Sequence, residues 1–214
     1  MGIGIFLRRR AIASQPVITP ILPGVEFYDK LKANNGAYIV IPSFHSESTD
    51  SCYFKFNATN LSNNGFVMGS RGSAFSVLYL RSDAKRAYIS AYRPETFDVF
   101  NGSGLAAKQE VSFRHIGGKH EVTINGTTFP PTTDVINSIT QPLVIFGSNS
   151  IGSTAIDSRL FDGEIYYLVI EDKDGRKKID LKPCIYEGEV GMWDVVSNKF
   201  YGNSGTGTLS ALNE

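Results

Sequence analysis

The sequence predicts an all-β domain built as a sandwich of two antiparallel sheets. Short apolar runs alternate with polar residues at a period of two, which is typical of strands with one buried face. Twenty-one glycines, fourteen phenylalanines and ten tyrosines against three methionines fit short strands joined by many turns. No long stretch keeps the 3.6-residue period of an amphipathic helix, so helices are at most minor. A chain of 214 residues can form one such sandwich with a substantial core.

The body of the chain supplies the strands in order. In residues 51–57, Cys52, Phe54 and Phe56 alternate with polar residues and are predicted to face the core. A predicted hairpin joins the strands 75–81 and 86–93 through residues 82–85. The predicted strands of this region cover residues 37–41, 51–57, 66–68, 75–81, 86–93 and 97–100.

The stretch 110–125 predicts a hairpin whose register can be read from the sequence. With Gly117-Gly118 as a two-residue turn, Ile116 pairs with Lys119 and His115 lies opposite His120. Two facing histidines can begin a zinc site, but zinc needs three or four ligands and no further His or Cys is near in sequence. We therefore interpret both as structural histidines and predict no metal and no cofactor.

The region 161–207 predicts a hairpin followed by a glycine-rich wrap. Residues 163–170 are apolar and β-branched, as in a strand covered on both faces, and residues 178–181 alternate beyond Asp174-Gly175, which is predicted to form a type I′ turn. The wrap is predicted to dock its apolar residues on this hairpin: Val190, Met192, Trp193, Val195, Phe200 and Tyr201.

The same region carries a resemblance. Its order is F-x-G-x-I-Y, a strand, an acidic-Gly turn, a strand ending in Pro-Cys, G-x-W-D-x-V-x-N-K-F-Y and N-x-G-T-G. This order resembles the end of concanavalin A-like, laminin-G-like jelly-roll domains, which occur in gut-bacterial surface proteins and in the virion proteins of their phages. The resemblance implies a jelly roll over roughly residues 25–209. The matching residues are Phe161, Gly163, Ile165, Tyr166, Asp174, Gly175, Pro183, Cys184, Gly191, Trp193, Asp194, Val196, Asn198, Lys199, Phe200, Tyr201, Asn203, Gly205, Thr206 and Gly207.

The first residues form a separate unit. Residues 1–24 are predicted to be an N-terminal arm with a Pro-rich linker, and residues 25–214 the jelly-roll domain. The charges follow the short apolar run, which is the wrong order for a signal peptide. The arm either adds a strand to the domain's own sheet or anchors the domain to a partner or a sister subunit. The residues predicted to anchor it are Ile3, Ile5, Phe6, Leu7, Arg8, Arg9 and Arg10.

The two cysteines are predicted to be buried free thiols. Cys52 and Cys184 lie far apart in strand-like apolar sequence. We favour free thiols over a disulfide because a free cysteine packs as a small hydrophobic residue.

The composition and motifs argue against several classes of function. Lys plus Arg equals Asp plus Glu, so no overall field steers the protein to nucleic acid or a membrane. The chain has no strand-borne pair of glycosidase carboxylates, no nucleophile elbow, no phosphate-binding loop and no zinc spacing. A hydrolase stays open as an alternative, because carboxylates distant in sequence can meet in a fold.

A binding surface is predicted on the strand 86–93. Tyr88, Tyr92 and Arg93 could present an aromatic and polar surface to a glycan. The alternative is that both tyrosines pack against the next sheet. Trp193, within the wrap, is interpreted first as a core residue.

The resemblance, the arm and the absence of a recognisable signal peptide together predict a phage virion component. The expected protein is a non-enzymatic structural protein, assembled in the host cytoplasm as a head fibre, capsid decoration or tail appendage. It would be a homo-oligomer that contacts other virion proteins through its arm and displays a lectin-like domain toward surface glycans. The alternatives are a bacterial carbohydrate-binding protein and, after it, a glycoside hydrolase.

Overall fold

The computed structural model describes residues 22–58, 65–73, 76–83, 86–90, 94–97, 109–116, 119–129 and 138–214. These residues form two antiparallel sheets, which confirms the predicted all-β sandwich. Among them, no helix long and apolar enough to cross a bilayer is found. The strands are β1 (Val25–Phe27), β2 (Lys30–Asn34), β3 (Ile39–Ile41), β4 (Ser51–Ala58), β5 (Phe66–Ser73), β6 (Ser76–Asp83), β7 (Arg86–Ser90), β8 (Pro94–Phe97), β9 (Gln109–Ile116), β10 (Lys119–Ile124), β11 (Thr127–Phe129), β12 (Leu143–Ile145), β13 (Gly163–Glu171), β14 (Lys177–Tyr186), β15 (Glu189–Asp194), β16 (Lys199–Gly202) and β17 (Thr208–Leu212).

The larger sheet has β4 and β13 at its centre. Its order is β11-β10-β9-β4-β13-β14-β15-β16, with β2 between β13 and β17 and with β1 beside β14. The smaller sheet has the order β3-β12-β5-β6-β7-β8. The core lies between the two sheets and is apolar throughout. Its fully buried residues include Leu31, Ile39, Phe54, Phe56, Met68, Ile145, Phe146, Ile165 and Leu168.

Two predicted registers are confirmed. On β4, Cys52, Phe54 and Phe56 are buried in the core, so the residues between them point to the opposite face. In the β9–β10 hairpin, His115 pairs with His120 as predicted. The turn residues 117 and 118 lie outside the described part of the chain.

The hairpin of the smaller sheet carries one of the predicted binding residues. On β7, Tyr88 pairs with Arg81 of β6 and with Thr96 of β8, while Tyr92 and Arg93 lie outside the described residues. β8 covers Pro94–Phe97 and shares Phe97 with the strand predicted at 97–100, whose remaining residues lie outside the described part of the chain. A proline without an N–H is tolerated as the first residue of an edge strand, so β8 can begin there.

The turn between β13 and β14 differs from the predicted type I′ turn. Glu171 pairs with Lys177, which leaves a five-residue connection, and of its residues only Gly175 has a positive φ, 76°. The Asp172 carboxylate closes this loop by accepting the N–H of Asp174 at 2.8 Å and the N–H of Arg176 at 2.9 Å. The Asp172 side chain therefore closes the turn, whereas the sequence predicted a turn formed by two residues with positive φ.

The C-terminal wrap pairs with β14 and places its apolar residues on both faces of the larger sheet. Met192 belongs to the core, and Val190 and Tyr201 pack against it. Trp193 and Phe200 pair with each other on neighbouring strands and lie on the opposite face. Trp193 is buried, which confirms its interpretation as a buried structural residue, and it lies outside the apolar cluster between the two sheets.

Polar residues of the resembling motif hold the wrap in place. Asp194 is buried and accepts the N–H groups of Asp180, Val196 and Ser197, which fixes the turn between β15 and β16. Asn203 accepts the N–H of Tyr38 at 3.4 Å and donates to the carbonyl of Gly207 at 2.8 Å. Asp194 and Asn203 of the motif are thus structural, because their side chains are engaged within the fold.

The segment 146–162 is hydrogen-bonded to β5 of the smaller sheet and contributes Phe146 and Phe161 to the core. Asn149 is fully buried, accepts the N–H of Arg71 at 2.8 Å and donates to the Arg71 carbonyl at 2.8 Å, which ties the segment to β5. The Arg71 and Arg159 guanidinium groups contact Asp157 at 3.1 and 2.7 Å. Hydrogen bonds from Arg159 and the charge of both arginines outweigh burial and lower the pKa of Asp157 to about 2.

Both cysteines are free and buried, as predicted. Burial raises the pKa of the Cys184 thiol to about 12, and burial together with the charge of Asp50 raises the pKa of Cys52. Neither thiol is therefore reactive at neutral pH.

Candidate ligand-binding site

The outward side of β4 and β13 carries a continuous row of polar and aromatic side chains, which we call the central face. The alternation of β4 produces it: each buried residue is followed by one that points away from the core. Across the two strands Asn57 pairs with Glu164 and Lys55 with Tyr167. The central face consists of Tyr53, Lys55, Asn57, Glu164, Tyr166, Tyr167 and Glu171.

A β-bulge adds a second tyrosine of β13 to the central face. The β4–β13 pairing shifts by one residue between Ile165 and Tyr167, so Tyr166 has no opposite residue. Before the bulge Ile165 is buried in the core, and after it Leu168 is again buried there. A bulge can re-aim side chains in this way while the strand on either side keeps its correct face.

Glu164 is the anchor of the central face. It is only 8% exposed, and its Oε2 accepts hydrogen bonds from Asn57 Nδ2 at 3.1 Å, Lys30 Nζ at 3.3 Å and the Tyr166 hydroxyl at 3.3 Å. Burial by itself raises the pKa of this carboxyl, but the three hydrogen bonds and the Lys30 charge outweigh it, so the pKa lies below its ordinary value. Glu164 is therefore a fixed carboxylate at neutral pH.

The same network orients the ring of Tyr166. Its hydroxyl is held by Glu164, and the Lys55 ammonium lies 5.3 Å from the ring centroid, within the range of a cation–π contact. Two independent contacts thus hold one aromatic side chain in a single orientation, which lowers the entropy cost of using it for recognition.

Tyr53 forms a second polar group farther along β4. Its pKa is raised, first by burial and then by the charge of Glu171, whose carboxylate accepts its hydrogen bond. Arg114 of β9 acts on the same hydroxyl in the opposite direction. Tyr53, Arg114 and Glu171 therefore join three strands into one polar surface.

A surface cavity of about 210 Å³ lies where β13 ends. Its carboxylates are already engaged in holding the protein together: Asp172 closes the hairpin loop, and Lys178 Nζ contacts Asp50 at 2.7 Å. Within the described part of the chain, no group of three or more His, Cys, Asp or Glu side chains could hold a metal ion. The cavity is lined by Glu47, Thr49, Asp172, Lys173, Asp174 and Lys178.

A second feature of the outward side is an aromatic cluster at β14–β16, formed by Tyr186, Trp193 and Phe200. The Tyr186 ring centroid lies 5.2 Å from that of Trp193 and 5.5 Å from that of Phe200. Gly191 makes room for it, because a Cβ there would lie 2.8 Å from the Phe200 ring and would collide with the Tyr201 carbonyl oxygen. The close packing of the three rings therefore requires glycine at position 191.

The predicted site residues and the observed central face do not coincide. Tyr88 lies in the other sheet, and the arm residues 3–10 lie outside the described part of the chain. Glu164 was missed because its partners Lys30 and Asn57 are 134 and 107 residues away in sequence. The alternation of residues 51–57 was the one feature of the sequence that could have indicated this face. It places Tyr53, Lys55 and Asn57 outward because the residues between them point to the core.

Comparison with solved structures identifies the fold. A protein of Bacteroides ovatus ATCC 8483 described as a "putative carbohydrate binding protein" superimposes with a TM-score of 0.59 at 13% identity, over 88% of this chain and 61% of that chain. The fold is a concanavalin A-like, laminin-G-like jelly roll. The jelly roll also matches the LG1-3 region of the laminin alpha2 chain (TM-score 0.52, 14% identity, 86% of this chain and 31% of that one). A heptameric SAP-like pentraxin from Limulus polyphemus matches with a TM-score of 0.50 at 11% identity, over 70% of this chain and 76% of its own.

The resemblance stated from the sequence is thereby confirmed for the fold. The chain spans about 61% of the length of the Bacteroides protein. Searches against models of protein families and against curated proteins find no match.

Proposed function

We propose that the domain binds carbohydrate on the central face and does not catalyse a reaction there. The observation that carries the proposal is the Glu164 network, which fixes a carboxylate, an amide and a tyrosine on the outward side of the larger sheet, beside the half-buried Tyr53 and Tyr167. Saccharide sites combine an aromatic surface for the apolar face of a sugar with carboxylate and amide groups for its hydroxyls. The jelly roll of the Bacteroides protein, described as carbohydrate binding, supports the same choice.

The electrostatics of the central face favour binding over glycoside hydrolysis. A glycosidase needs a general acid whose pKa is raised, so that it holds a proton near neutral pH. The pKa of Glu164 is lowered instead, because three donors stabilise its charged form. Such a carboxylate accepts hydroxyl hydrogen bonds well and protonates a leaving group poorly.

The binding proposal is tested with a glycan array followed by calorimetric titration of the best glycan. Tyr53→Ala removes an aromatic surface and Asn57→Ala removes an amide, and we expect each to weaken binding at least tenfold. Thr128→Ala is the matched control, because Thr128 is exposed at the edge of the same sheet, outside the central face. Equal affinity for all three variants, or no glycan bound at all, would overturn the proposal.

We also propose that the domain is displayed on a virion, held by arm residues 3–10. The proposal is supported by the composition of the arm, in which apolar residues adjoin three arginines, and by the resemblance to phage virion domains. A bacterial carbohydrate-binding protein would use the same central face, so the binding experiment does not distinguish the two.

Native mass spectrometry and particle incorporation distinguish them. A virion component is expected to form a homo-oligomer and to lose incorporation into particles when residues 1–13 are deleted. A monomer that binds sugar with micromolar affinity, with or without those residues, would favour the bacterial protein and contradict the virion role.

A further inference from the structure

Each carboxylate of β13 and β14 already has a donor within the fold. Glu164 accepts three hydrogen bonds from neighbouring side chains. Glu171 accepts a hydrogen bond from the Tyr53 hydroxyl. Asp180 alternates with the core residues of β14 and so points outward, where its Oδ2 lies 2.8 Å from Lys177 Nζ. The negative charge on this side of the sheet is therefore compensated by the protein's own side chains.

Three lysines on the same side have no such partner. Lys32 lies between two fully buried core residues of β2, so its side chain points outward. Lys55 points outward on β4 for the same reason, and Lys182 pairs with Trp193, on the side away from the core. All three side chains are half-buried. Among the residues that the structure describes, no carboxylate forms an ion pair with any of the three.

The strand pairing places these lysines around the central face. Lys55 pairs with Tyr167 across β4 and β13. The β13–β14 pairing ends at the residue after Tyr167 and the residue before Lys182, so Tyr167 has a lysine on either side. Lys32 pairs with Glu164 farther along β13. Because neighbouring strands lie about 4.8 Å apart, the backbones at Lys55 and Lys182 are separated by at least about 10 Å.

A ligand with negative charges suits this arrangement better than a neutral one. The Glu164 carboxylate does not oppose it, since Lys30 Nζ lies 3.3 Å away and compensates its charge. A lysine ammonium attracts an anionic group as a point charge on a flexible stem, so it needs no fixed geometry in the ligand. A neutral sugar would leave all three lysine charges without a partner.

We propose that the saccharide bound on the central face is acidic. Its carboxylate or sulfate groups contact Lys32, Lys55 and Lys182, while the rings of Tyr53 and Tyr167 support the sugar itself. This inference rests on the proposed carbohydrate binding and names the class of saccharide. The shared chemistry is an anionic group on a sugar ring, and the carboxylate and the sulfate ester are its two sources.

A glycan array with matched pairs tests the class of saccharide. It carries polygalacturonate, sialylated glycans and sulfated galactans, each beside its neutral counterpart, which is the methyl ester of the carboxylate or the unsulfated polymer. The acidic member of a pair is expected to bind at least tenfold more tightly than the neutral one. Its affinity should fall at least fivefold between about 50 and about 500 mM NaCl, because salt screens exposed charges. The uronate, sialylated and sulfated arms distinguish the carboxylate from the sulfate ester.

Substitutions that remove one charge locate the contact. Lys32→Gln and Lys182→Gln are each expected to weaken binding of the best acidic glycan at least fivefold, measured by calorimetric titration. Lys173→Gln is the matched control, because it removes the same charge from the exposed β13–β14 loop, and its affinity should stay within twofold of wild type.

Two failures of these experiments have different meanings. Equal binding of acidic and neutral glycans, or unchanged affinity in both Lys32→Gln and Lys182→Gln, would overturn the acidic saccharide and leave carbohydrate binding intact. Binding of no glycan at all would overturn the proposed function, and the acidic saccharide with it.

Discussion

The central face and the aromatic cluster lie on the same side of the same sheet, yet they are organised in opposite ways. In the central face the buried carboxylate of Glu164 has three donors, and the Tyr166 ring is held from two directions. In the aromatic cluster the buried Nε1 of Trp193 has no acceptor among the described residues, and a glycine replaces a side chain beneath the Phe200 ring.

The difference separates a surface whose buried polar groups are satisfied from one that keeps a buried donor without an acceptor among the described residues. A satisfied polar network is pre-organised and can offer its remaining hydrogen-bonding capacity to a ligand from solvent. An enclosed donor without an acceptor lowers stability instead. We therefore propose the ligand for the first region and a packing role for the second.

The largest expected effect lies in the aromatic cluster. Gly191→Ala places a Cβ against the Tyr201 carbonyl and 2.8 Å from the Phe200 ring, so both must move. We expect the free energy of unfolding to fall by about 3 kcal/mol, measured by urea denaturation. The control is Gly202→Ala, where the nearest atom is a Phe200 carbon 3.2 Å away and can shift. Equal losses for both variants would contradict the close-approach argument.

The next effect belongs to the central face. Glu164→Ala leaves the donors of Lys30, Asn57 and Tyr166 without their shared acceptor, and should lower the free energy of unfolding by about 2 kcal/mol. Glu164→Gln keeps an acceptor and should lower the free energy of unfolding by less. Glu189→Ala, an exposed glutamate of β15, serves as control and should change stability by less than about 0.5 kcal/mol.

Acid should affect the central face without affecting the aromatic cluster. The folded-state pKa of Glu164 is depressed, so its contribution is complete above the ordinary value of 4.5 and is lost as the pH falls through the folded value. Asp157 adds a second pH window. Its contribution to the free energy of unfolding, about 1 kcal/mol after allowance for solvent screening, is lost as the pH falls from 3.8 to about 2. Denaturation of Glu164→Gln and Asp157→Asn between pH 5 and 2 should show a correspondingly smaller loss of stability than wild type. Trp193 emission of the folded protein should stay constant throughout, and a shift near pH 4 would show that the two regions are coupled.

The smallest expected effect concerns the contact between Lys55 and the Tyr166 ring. Lys55→Met keeps an unbranched side chain but removes the ammonium 5.3 Å from the ring centroid, and should cost about 0.5 kcal/mol. Glycan affinity should fall in the same variant if the cation orients the ring for binding. Unchanged stability and affinity would mean that the hydrogen bond to Glu164 is sufficient.

Local rules predicted the parts of the fold that depend on neighbouring residues. The inward residues of β4 followed from a two-residue period, and the pairing of His115 with His120 followed from a turn length. The β13–β14 turn was predicted incorrectly, because an aspartate side chain replaced the left-handed backbone that the Asp-Gly pair usually supplies. The burial of Trp193 was predicted correctly, but its face could not be predicted, because Gly191 to Asp194 are all buried and the burial pattern of β15 shows no alternation.

The candidate site was less accessible to sequence reasoning for a physical reason. Its centre depends on Glu164 meeting Lys30 and Asn57, which lie on strands distant in sequence, and no local pattern encodes that meeting. A one-residue shift in pairing also interrupts the alternation of β13, so counting by twos from Ile165 assigns Leu168 to the wrong side. The predicted glycan residues Tyr88, Tyr92 and Arg93 and the anchoring arm remain predictions.

The bulge at Tyr166 gives β13 two halves that can be altered independently. The alternation of inward and outward residues restarts after Tyr166. A substitution in the half that contains Glu164 therefore leaves Leu168 and Ile170 facing the core. A deletion of Tyr166 would remove the bulge and restore an uninterrupted alternation, because Ile165 and Tyr167 already pair with Phe56 and Lys55, which are consecutive on β4. Natural variation that retunes what this surface recognises can therefore proceed by substitution within each half or by loss of the bulge residue, and in either case the inward residues of both halves keep their places.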